Sequence, residues 1–437
     1  MANESSAPAA ASERSRAHIG FILVTVLIDM MGVGLILPVL PSLVGEFTRN
    51  LESQSYWFGA MTFTFGFTQF LCAPLLGALS DRYGRRTVLL LSVGGLGTMF
   101  LLSGLVRSLP LLVGARVIGG MFASNVSVAN AYVADITTPD NRARSFGLVG
   151  AAFGFGFILG PMIGGLVGGI GVRIPFFIAA GLSLINFAYG LFVLPESLPA
   201  SRRRPINLKK ANPFAALVGL ARLRGVGMLV TVIALSGLAQ FIMIGTWVLY
   251  CTYRFGWGPP QNGASFFFVG VMSAVVQGGL LGWLLRTLGE RKLVLAGLAS
   301  ATLAYVGHGL APQGWMIYAI IVMNLLAFGV GAAINALVSK AAPPDAQGLA
   351  MGSLSSLNSV VAVIGPILGL GIFARVSHFP RNDVRVGSPY FLSALISLSA
   401  LLLASWHFAR EAKRQAADPG ITPAPTRRSP GEVTGPA

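Results

Sequence analysis

The amino-acid sequence predicts an all-α integral membrane protein in which twelve transmembrane helices form two similar six-helix bundles. Only 11% of its 437 residues are charged, whereas a soluble domain carries about 25% charged residues. Twelve apolar runs are long enough to cross a bilayer, whose hydrocarbon core of about 30 Å needs roughly 20 helical residues. Several short motifs also recur at one constant spacing. Composition, run length and repetition therefore agree on one fold class.

The apolar runs divide into two sets of six, separated by a basic stretch. Spans 1 to 6 are predicted at Ile19–Leu43, Trp57–Leu79, Val88–Val106, Leu111–Ala134, Phe146–Gly171 and Pro175–Leu194. Spans 7 to 12 are predicted at Val226–Tyr250, Gly263–Leu285, Leu293–Ala311, Trp315–Val338, Leu349–Ala374 and Tyr390–Phe408. The predicted organisation is an N-terminal tail (1–18), a first bundle (19–194), a basic central loop (195–225), a second bundle (226–408) and a disordered C-terminal tail (409–437).

Motifs of the first half recur 205 residues later in the second half. Gly77, Leu79, Gly84 and Arg86 recur as Gly282, Leu284, Gly289 and Arg291. Pro139-Asp140 recurs as Pro344-Asp345, and Gly160-Pro161-x-x-Gly164 recurs as Gly365-Pro366-x-x-Gly369. The two halves are therefore predicted to be structural copies, an architecture typical of secondary transporters that bind a substrate between two repeats.

Basic residues lie mostly on one side of the predicted membrane. Of the 31 Lys and Arg, 23 fall in segments on the side of the termini, seven fall on the other side, and Arg116 lies within a span. The positive-inside rule therefore predicts that both termini are cytoplasmic. The net charge of +16 is attributed to contact with an anionic inner leaflet. Binding of nucleic acid by the basic run at 202–210 is the disfavoured alternative.

The segment after span 2, Gly77-Ala-Leu79-Ser-Asp81-Arg82-Tyr-Gly84-Arg85-Arg86, resembles the signature loop of the major facilitator superfamily. Within that superfamily the chain resembles the bacterial tetracycline-efflux branch of drug:proton antiporters over nearly its whole length. The other matching stretches are 29–41, 69–74, 131–137 and 195–197. The resemblance implies a monomeric transporter of the bacterial inner membrane that works by alternating access. It also implies a proton gradient as the energy source, without a cofactor.

The signature loop is interpreted as a latch at the inner membrane surface. Its glycines allow close helix approach and a tight turn, and its aspartate can form an ion network with its arginines. Such a network would hold the inner ends of the two halves together and break when they rock apart. A simple basic anchor is the alternative, although it would need neither the glycines nor the aspartate. The residues assigned to the loop are Gly77, Asp81, Arg82, Gly84, Arg85 and Arg86.

A glycine-rich motif in span 5 matches the pattern that the family associates with antiporters. Small residues four positions apart let two membrane helices pack closely, and a proline bends the helix. Generic tight packing is the alternative reading of such a run. The residues of this motif are Gly156, Gly160, Pro161, Gly164 and Gly165.

Two charged residues, Asp29 and Arg116, lie within the predicted spans. A charge at the centre of a bilayer costs about 2.5–3.5 kcal/mol even on insertion scales, so each needs a reason. Asp29 lies about 15 Å deep in span 1 at 1.5 Å per residue. One hypothesis makes Asp29 the proton carrier and Arg116 the group that senses its charge. The other makes the two residues a static buried ion pair.

Uncharged polar residues within spans are candidates for a central substrate cavity. On a continuous helix, Arg116, Gly120, Ser127 and Asn130 of span 4 share one stripe, and Asn125 falls on the opposite side. Each polar residue can instead bond a neighbouring helix, and an aromatic residue can simply pack. The candidate cavity residues are Gln69, Ser127, Asn130, Gln240, Trp247, Gln277 and Asn335.

The chain departs from the tetracycline pumps at several positions. The further acidic residues of spans 3 and 9 are replaced by Met99 and Ala301, and a Gln of span 4 is replaced by Gly119. A neutral or weakly charged amphipathic substrate is therefore expected in place of a metal-chelated tetracycline. The predicted function is proton-coupled export of a small organic compound. A metabolite importer or uniporter, and a non-transporting membrane sensor or enzyme, are the alternatives. No metal site is expected, because Cys72 and Cys251 are interpreted as packing residues.

Overall fold

The computed structural model describes residues 7–203, 205, 227–341 and 347–417, and all regular structure in them is helical. The helices of the first half are Ala7–Ile36, Leu40–Gly45, Leu51–Tyr83, Arg85–Leu105, Leu109–Phe122, Asn125–Ile136, Pro139–Gly168 and Ile174–Val193. The helices of the second half are Gly227–Phe255, Pro259–Val275, Leu281–Leu310, Trp315–Met323, Val330–Ala341, Gln347–Val376 and Ser388–Ala417. A π-helical turn, Val276–Leu280, lies within span 8, and a 3₁₀ turn, Leu325–Gly329, lies within span 10.

The prediction of twelve spans is confirmed. Ten stretches of the described chain are long and apolar enough to cross a membrane, and the bent pair Trp315–Met323 and Leu325–Ala341 makes an eleventh. One of the ten, Pro259–Leu310, has 52 residues, which at 1.5 Å per residue is about 78 Å, more than twice the thickness of a bilayer core. It is broken at Gly289, where φ is 71° and ψ is 167°. This stretch therefore contains spans 8 and 9.

The two halves also match in their turns and breaks. Gly84 and Gly289, which are 205 residues apart, both have positive φ, a conformation that glycine adopts without steric cost. Each therefore permits the tight turn between two long helices. The second helix of span 4 is Asn125–Ile136, and the second helix of span 10 is Val330–Ala341. Both their first residues and their last residues are 205 positions apart. Spans 4 and 10 are thus both broken helices.

Some predicted boundaries are corrected. The last helix continues to Ala417, so the described part of the tail predicted at 409–437 is helical; its Ala, Arg, Glu, Lys and Gln residues all favour a helix. An ion pair of 2.8 Å between Arg291 and Glu411 holds this extension. Most of the central loop predicted at 195–225, the tail after 417, residues 1–6 and the Pro344-Asp345 repeat lie outside the described residues.

The two halves meet along spans 5 and 8 at the end of the bundle opposite the termini. A Cβ atom added to Gly165 of span 5 would lie 2.9 Å from the Cα atom of Gly263 in span 8. Towards the termini, Cβ atoms at Gly154, Gly150 and Gly147 would meet nothing within 4 Å. These three glycines lie on the same face of span 5 as Gly165. The positions on that face are three or four residues apart, and Ile158 and Pro161 lie between Gly154 and Gly165. Spans 5 and 8 therefore diverge towards the termini.

Spans 2 and 11 form the second contact between the halves and diverge in the same direction. Leu370 and Val363 of span 11 lie 3.6 and 3.1 Å from Cβ positions at Gly59 and Gly66 of span 2. Gly77, further along the same face of span 2, has open space instead. The bundle therefore contains a cleft that is closed at the far end and open at the end that carries the termini.

Candidate functional site

Asp29 of span 1 is buried, with 1% of its surface exposed. Its Oδ2 atom accepts a hydrogen bond from the side-chain amide of Asn125 in span 4. Its Oδ1 atom has no hydrogen-bond partner among the described residues, and the same holds for Oδ1 of Asn125, which is also buried. The partner of the buried carboxyl group is thus an amide.

Arg116 of span 4 does not pair with Asp29. Its guanidinium carbon lies 4.3 Å from the ring centroid of Phe65 in span 2, and among the described residues no carboxylate lies within ion-pair distance of Arg116. Asn125 follows Arg116 by nine residues, which is about 13 Å of helical rise. The static Asp29–Arg116 ion pair, one of the two hypotheses, is therefore not formed in this structure.

Span 4 is broken immediately before Asn125, the partner of Asp29. The first helix of span 4 ends at Phe122 and the second begins at Asn125, so the helical phase before the break does not continue after it. The carbonyl oxygen of Ala123, freed at this break, accepts a hydrogen bond of 3.1 Å from the side chain of Gln69. Arg116 contacts Phe65 of span 2, whereas Asn125 contacts Asp29 of span 1. Sequence reasoning missed Asn125 because it looked for the functional residues of span 4 on the stripe of Arg116. The adjacent Ser124 and Asn125, which favour helix starts, were the available signal.

Met99 of span 3 and Gly119 of span 4 are in contact with each other. A Cβ atom at Gly119 would lie 2.8 Å from the Met99 side chain and 3.2 Å from the ring of Phe65. Met99 is buried, and Ala301 in span 9 is also buried. The surroundings of Arg116 on this side of span 4 are therefore apolar, and Met99 and Gly119 belong to one packing arrangement.

The signature loop forms an ion network with two carboxylates that sequence reasoning did not include in it. Arg85 pairs with Asp81 at 2.6 Å and with Asp135, near the end of span 4, at 3.1 Å. The backbone N–H of Arg85 donates a 2.8 Å hydrogen bond to Glu196 after span 6. Arg86 donates to the carbonyl oxygen of Leu191. All of these groups belong to the first half, so among the described residues the network lies within one half.

The other three residues assigned to the loop, Arg82, Gly84 and Gly77, have surroundings that differ from one another. The Arg82 guanidinium lies 5.5 Å from the ring centroid of its neighbour Tyr83. Glu196 approaches Gly84 so closely that a Cβ atom there would overlap its carboxylate. Gly77 lies in open space, as described above. The latch role of the loop stays a prediction.

The glycines of span 5 serve two different contacts. Gly156 and Gly160 meet the backbone of span 1: a Cβ atom at Gly156 would lie 2.5 Å from the carbonyl oxygen of Leu27, and one at Gly160 would lie 2.8 Å from the Cα atom of Gly34. Gly164 continues this face. Gly165 and the Pro161 carbonyl instead meet Gly263 of span 8. Span 5 therefore packs within its own half on one face and against the other half on the adjacent face.

Of the seven predicted cavity residues, two are engaged in packing. Gln69 bonds the broken span 4. Trp247 is 2% exposed, donates a 2.9 Å hydrogen bond to Ser265 and has its ring 5.3 Å from that of His308. Trp247 therefore belongs to the core of the second half and does not line the cleft in this structure; its indole N–H is satisfied by a neighbouring span.

The remaining five predicted cavity residues retain accessible surface. Gln277 lies seven residues after Gly270 of span 8, which contacts Ile158 of span 5, and thus on the side facing the cleft. It lies in the π-helical turn and donates a 2.7 Å hydrogen bond to Ser273. Such turns are frequent at functional sites. The accessible set comprises Ser127, Asn130, Gln240, Gln277 and Asn335.

The chain is similar to known transport and resistance proteins. A family model described as Major Facilitator Superfamily matches residues 22–366. The tetracycline resistance protein, class C, of Escherichia coli is 36% identical over 388 residues, which cover 88% of this chain and 96% of the relative. The class G protein of Vibrio anguillarum is 35% identical over 81% of this chain and 89% of its own. The crystal structure of the human organic anion transporter MFSD10 (TETRAN) aligns with a TM-score of 0.64 at 25% identity, covering 89% of this chain and 99% of that chain.

Proposed function

The chain belongs to the major facilitator superfamily, and from this premise we propose that it is a proton-coupled antiporter that exports a small amphipathic organic compound. It is a multi-pass membrane transporter of small molecules, similar to the tetracycline efflux pumps of the bacterial inner membrane. Transport by this family needs no enzymatic reaction. The coupling ion is the proton, the direction is export from the cytoplasm, and the single chain is the working unit.

The observation that carries proton coupling is the burial of Asp29 without a cationic partner among the described residues. A carboxylate without a counter-charge is costly inside a membrane protein, whereas a protonated carboxyl group is neutral. Asp29 therefore favours holding a proton when it is closed off in this way. An export cycle can use this preference: Asp29 takes up a proton from the outside and releases it towards the cytoplasm.

The cleft supports alternating access as the transport mechanism. With the termini in the cytoplasm, as the distribution of basic residues favours, the cleft between spans 5 and 8 faces inward and admits a cytoplasmic compound. The close glycine contacts at the far end hold the outer end closed. Rocking of the two halves would separate these contacts, open the outer end and close the inner one. The loop network of Asp81 and Arg85 would stabilise the closed inner end.

Accessible amide side chains of the second half support a neutral or weakly charged substrate. Gln240, Gln277 and Asn335 of the second half retain accessible surface and offer amide donors and acceptors. Met99 and Ala301 stand where the tetracycline pumps carry acidic residues, so electrostatic recognition of a cationic metal chelate lacks its carboxylates here. An amphipathic compound with hydrogen-bonding groups fits this lining better than a metal-chelated tetracycline does.

Vesicles reconstituted with the purified protein test this function. A growth-inhibition panel in an efflux-deficient bacterial host first selects a compound to which the chain confers resistance. An imposed pH gradient should then drive that compound uphill, and a proton ionophore should abolish the movement. The Asp29→Asn variant should lose uphill movement and retain exchange of substrate down its own gradient. Uphill transport at the wild-type rate in Asp29→Asn would refute Asp29 as the proton carrier, and accumulation in the direction of the proton flux would favour an importer.

A further inference from the structure

Two buried oxygen atoms at the Asp29–Asn125 contact lack hydrogen-bond partners among the described residues. They are Oδ1 of Asp29 and Oδ1 of Asn125. The other polar atom of each group already has a partner, since the Asn125 amide N–H donates a hydrogen bond to Oδ2 of Asp29. Both residues are 1% exposed, so bulk solvent does not supply the missing partners. Buried polar atoms without a partner are rare and need an explanation.

One proton satisfies both oxygens. An ionised carboxylate and an amide oxygen are both acceptors only, whereas a protonated carboxyl group has one O–H donor. A proton on Oδ1 of Asp29 can therefore donate to Oδ1 of Asn125, while the amide N–H continues to donate to Oδ2. The two planar groups then share two hydrogen bonds in a ring. Removal of the proton leaves one bond and sets two acceptors against each other.

We propose that Asn125 is the positioning residue for the coupling proton: it holds protonated Asp29 in an acid–amide pair and joins span 1 to the second helix of span 4. This inference rests on the proposed role of Asp29 as proton carrier. Asn125 is the first residue of the helix after the break at Ala123 and Ser124. Loss of the proton weakens the connection at a point where the backbone of span 4 is already discontinuous. The protonation state of Asp29 thereby biases the position of that helix.

The second half indicates that the pair is not needed to build the break. The equivalent positions, 205 residues later, are Ala234 and Val330, which can form neither hydrogen bond. Span 10 is nevertheless broken, and its second helix begins at Val330. The acid–amide pair is therefore an addition to one half of a repeated architecture, which favours a role in coupling over a role in folding.

The other ionisable groups near this contact have their own partners or lie apart from it. Spans 4, 5 and 6 pack against span 1. Among their described side chains, Arg116 stacks on Phe65, Tyr132 donates to the carbonyl oxygen of Pro195, Asp135 pairs with Arg85, Arg142 donates to backbone carbonyls, Arg144 is exposed, and Tyr189 packs on Phe21. No described member of this set bonds Asp29. The group that responds to protonation of Asp29 is thus the neutral amide of Asn125.

An exchange of the two residues tests the pair. Asp29→Asn alone leaves two amides and no proton site, and Asn125→Asp alone leaves two carboxyl groups. The double variant, Asp29→Asn with Asn125→Asp, restores one acid and one amide in the same place. We expect at least ten-fold loss of proton-driven efflux in Asp29→Asn and a measurable recovery in the double variant. A double variant that is inserted and exchanges substrate, yet shows no more proton-driven efflux than Asp29→Asn, would overturn the pair.

Infrared difference spectra provide a readout that a structural role would not change. The carbonyl band of protonated Asp29, identified by its loss in Asp29→Asn, should shift to higher frequency in Asn125→Ala because a hydrogen bond is lost. The pH at which efflux is half-maximal should shift as well. The matched control is Asn186→Ala, because Asn186 accepts a buried 3.3 Å hydrogen bond from Thr25 of span 1, one turn from Asp29, without a titratable partner.

The control variant Asn186→Ala should change neither the carbonyl band of Asp29 nor the pH dependence of efflux. An unchanged band and an unchanged pH profile in Asn125→Ala would refute the positioning role, even if the double variant does not insert. Unaltered proton-driven efflux in Asp29→Asn is a different result, because it removes the proton carrier itself and with it the proposed function.

Discussion

Arg85, in the turn after span 2, pairs at 3.1 Å with Asp135 near the end of span 4. The same contact recurs 205 residues later with its charges reversed, where Glu290 pairs with Lys340 at 2.6 Å. Each pair ties a turn to the end of the fourth span in its own half. The contact is therefore preserved between the halves although all four residues differ in type, and a search for identical residues does not detect it.

The two pairs are expected to differ in strength. Arg85 has 13% of its side chain exposed and also bonds Asp81 and Ser80, whereas Lys340 is 69% exposed. Exposed ion pairs contribute roughly 0–1 kcal/mol, and hydrogen bonds to charged groups about 1.5–3 kcal/mol. Arg85→Gln should thus lower thermal stability in detergent clearly more than Lys340→Gln does. Equal losses in the two variants would contradict this ranking.

Asp81→Asn should leave insertion intact and sharply lower transport, because the loop network loses one of its carboxylate charges. Efflux in cells with equal amounts of inserted protein is the measurement. Glu52→Gln, on the same helix at its other end, is the control and should transport normally. If Asp81→Asn also transports normally, the loop is no more than a basic anchor.

Glycines on one stripe of span 5 should control opposite ends of the cleft. Gly165→Val would clash with Gly263 and favour opening of the far end, whereas Gly147→Val has free space here and would obstruct closure of the end near the termini. Thiol labelling of single cysteines placed at either end, in a background without Cys72 and Cys251, reports the two accessibilities. We expect labelling at the two ends to change in opposite directions in Gly165→Val and in Gly147→Val. Identical labelling in both variants would argue against the rocking of two halves.

Met99 and Gly119 should show energetic coupling. Gly119→Gln would force a Cβ atom to within 2.8 Å of Met99, and such overpacking typically costs about 1–3 kcal/mol. Adding Met99→Ala makes room for the glutamine and should recover part of the loss. A double-mutant cycle based on thermal stability measures the coupling, for which about 0.5 kcal/mol or more is expected. Strictly additive effects would show that the two side chains do not share this space.

The orientation in the membrane is tested by reporter fusions. A reporter fused after Leu198 should be cytoplasmic and one fused after Asn50 should be external, because these positions lie at opposite ends of the bundle and basic residues accumulate at the first. Reporter activity on the same side for both fusions would refute the twelve-span topology with cytoplasmic termini.

The amino-acid sequence was sufficient to predict the spans, the repeat and the tight turns at Gly84 and Gly289. These features are local: a membrane crossing needs only a sufficient apolar run, and positive φ favours glycine wherever it occurs. The family motifs likewise identified the signature loop and the glycines of span 5. Residue type and spacing along one continuous helix were enough for each of these predictions.

Which side chains meet depends on the packing of helices that are distant in sequence. The partner of Asp29 is Asn125 and not Arg116, because Asn125 faces span 1 whereas Arg116 packs on Phe65 of span 2. Trp247 is buried because Ser265, on the next span, accepts its N–H group. Met99 and Gly119 meet because spans 3 and 4 approach each other there. Contacts of this kind depend on how separate helices pack, which periodicity along one helix does not encode.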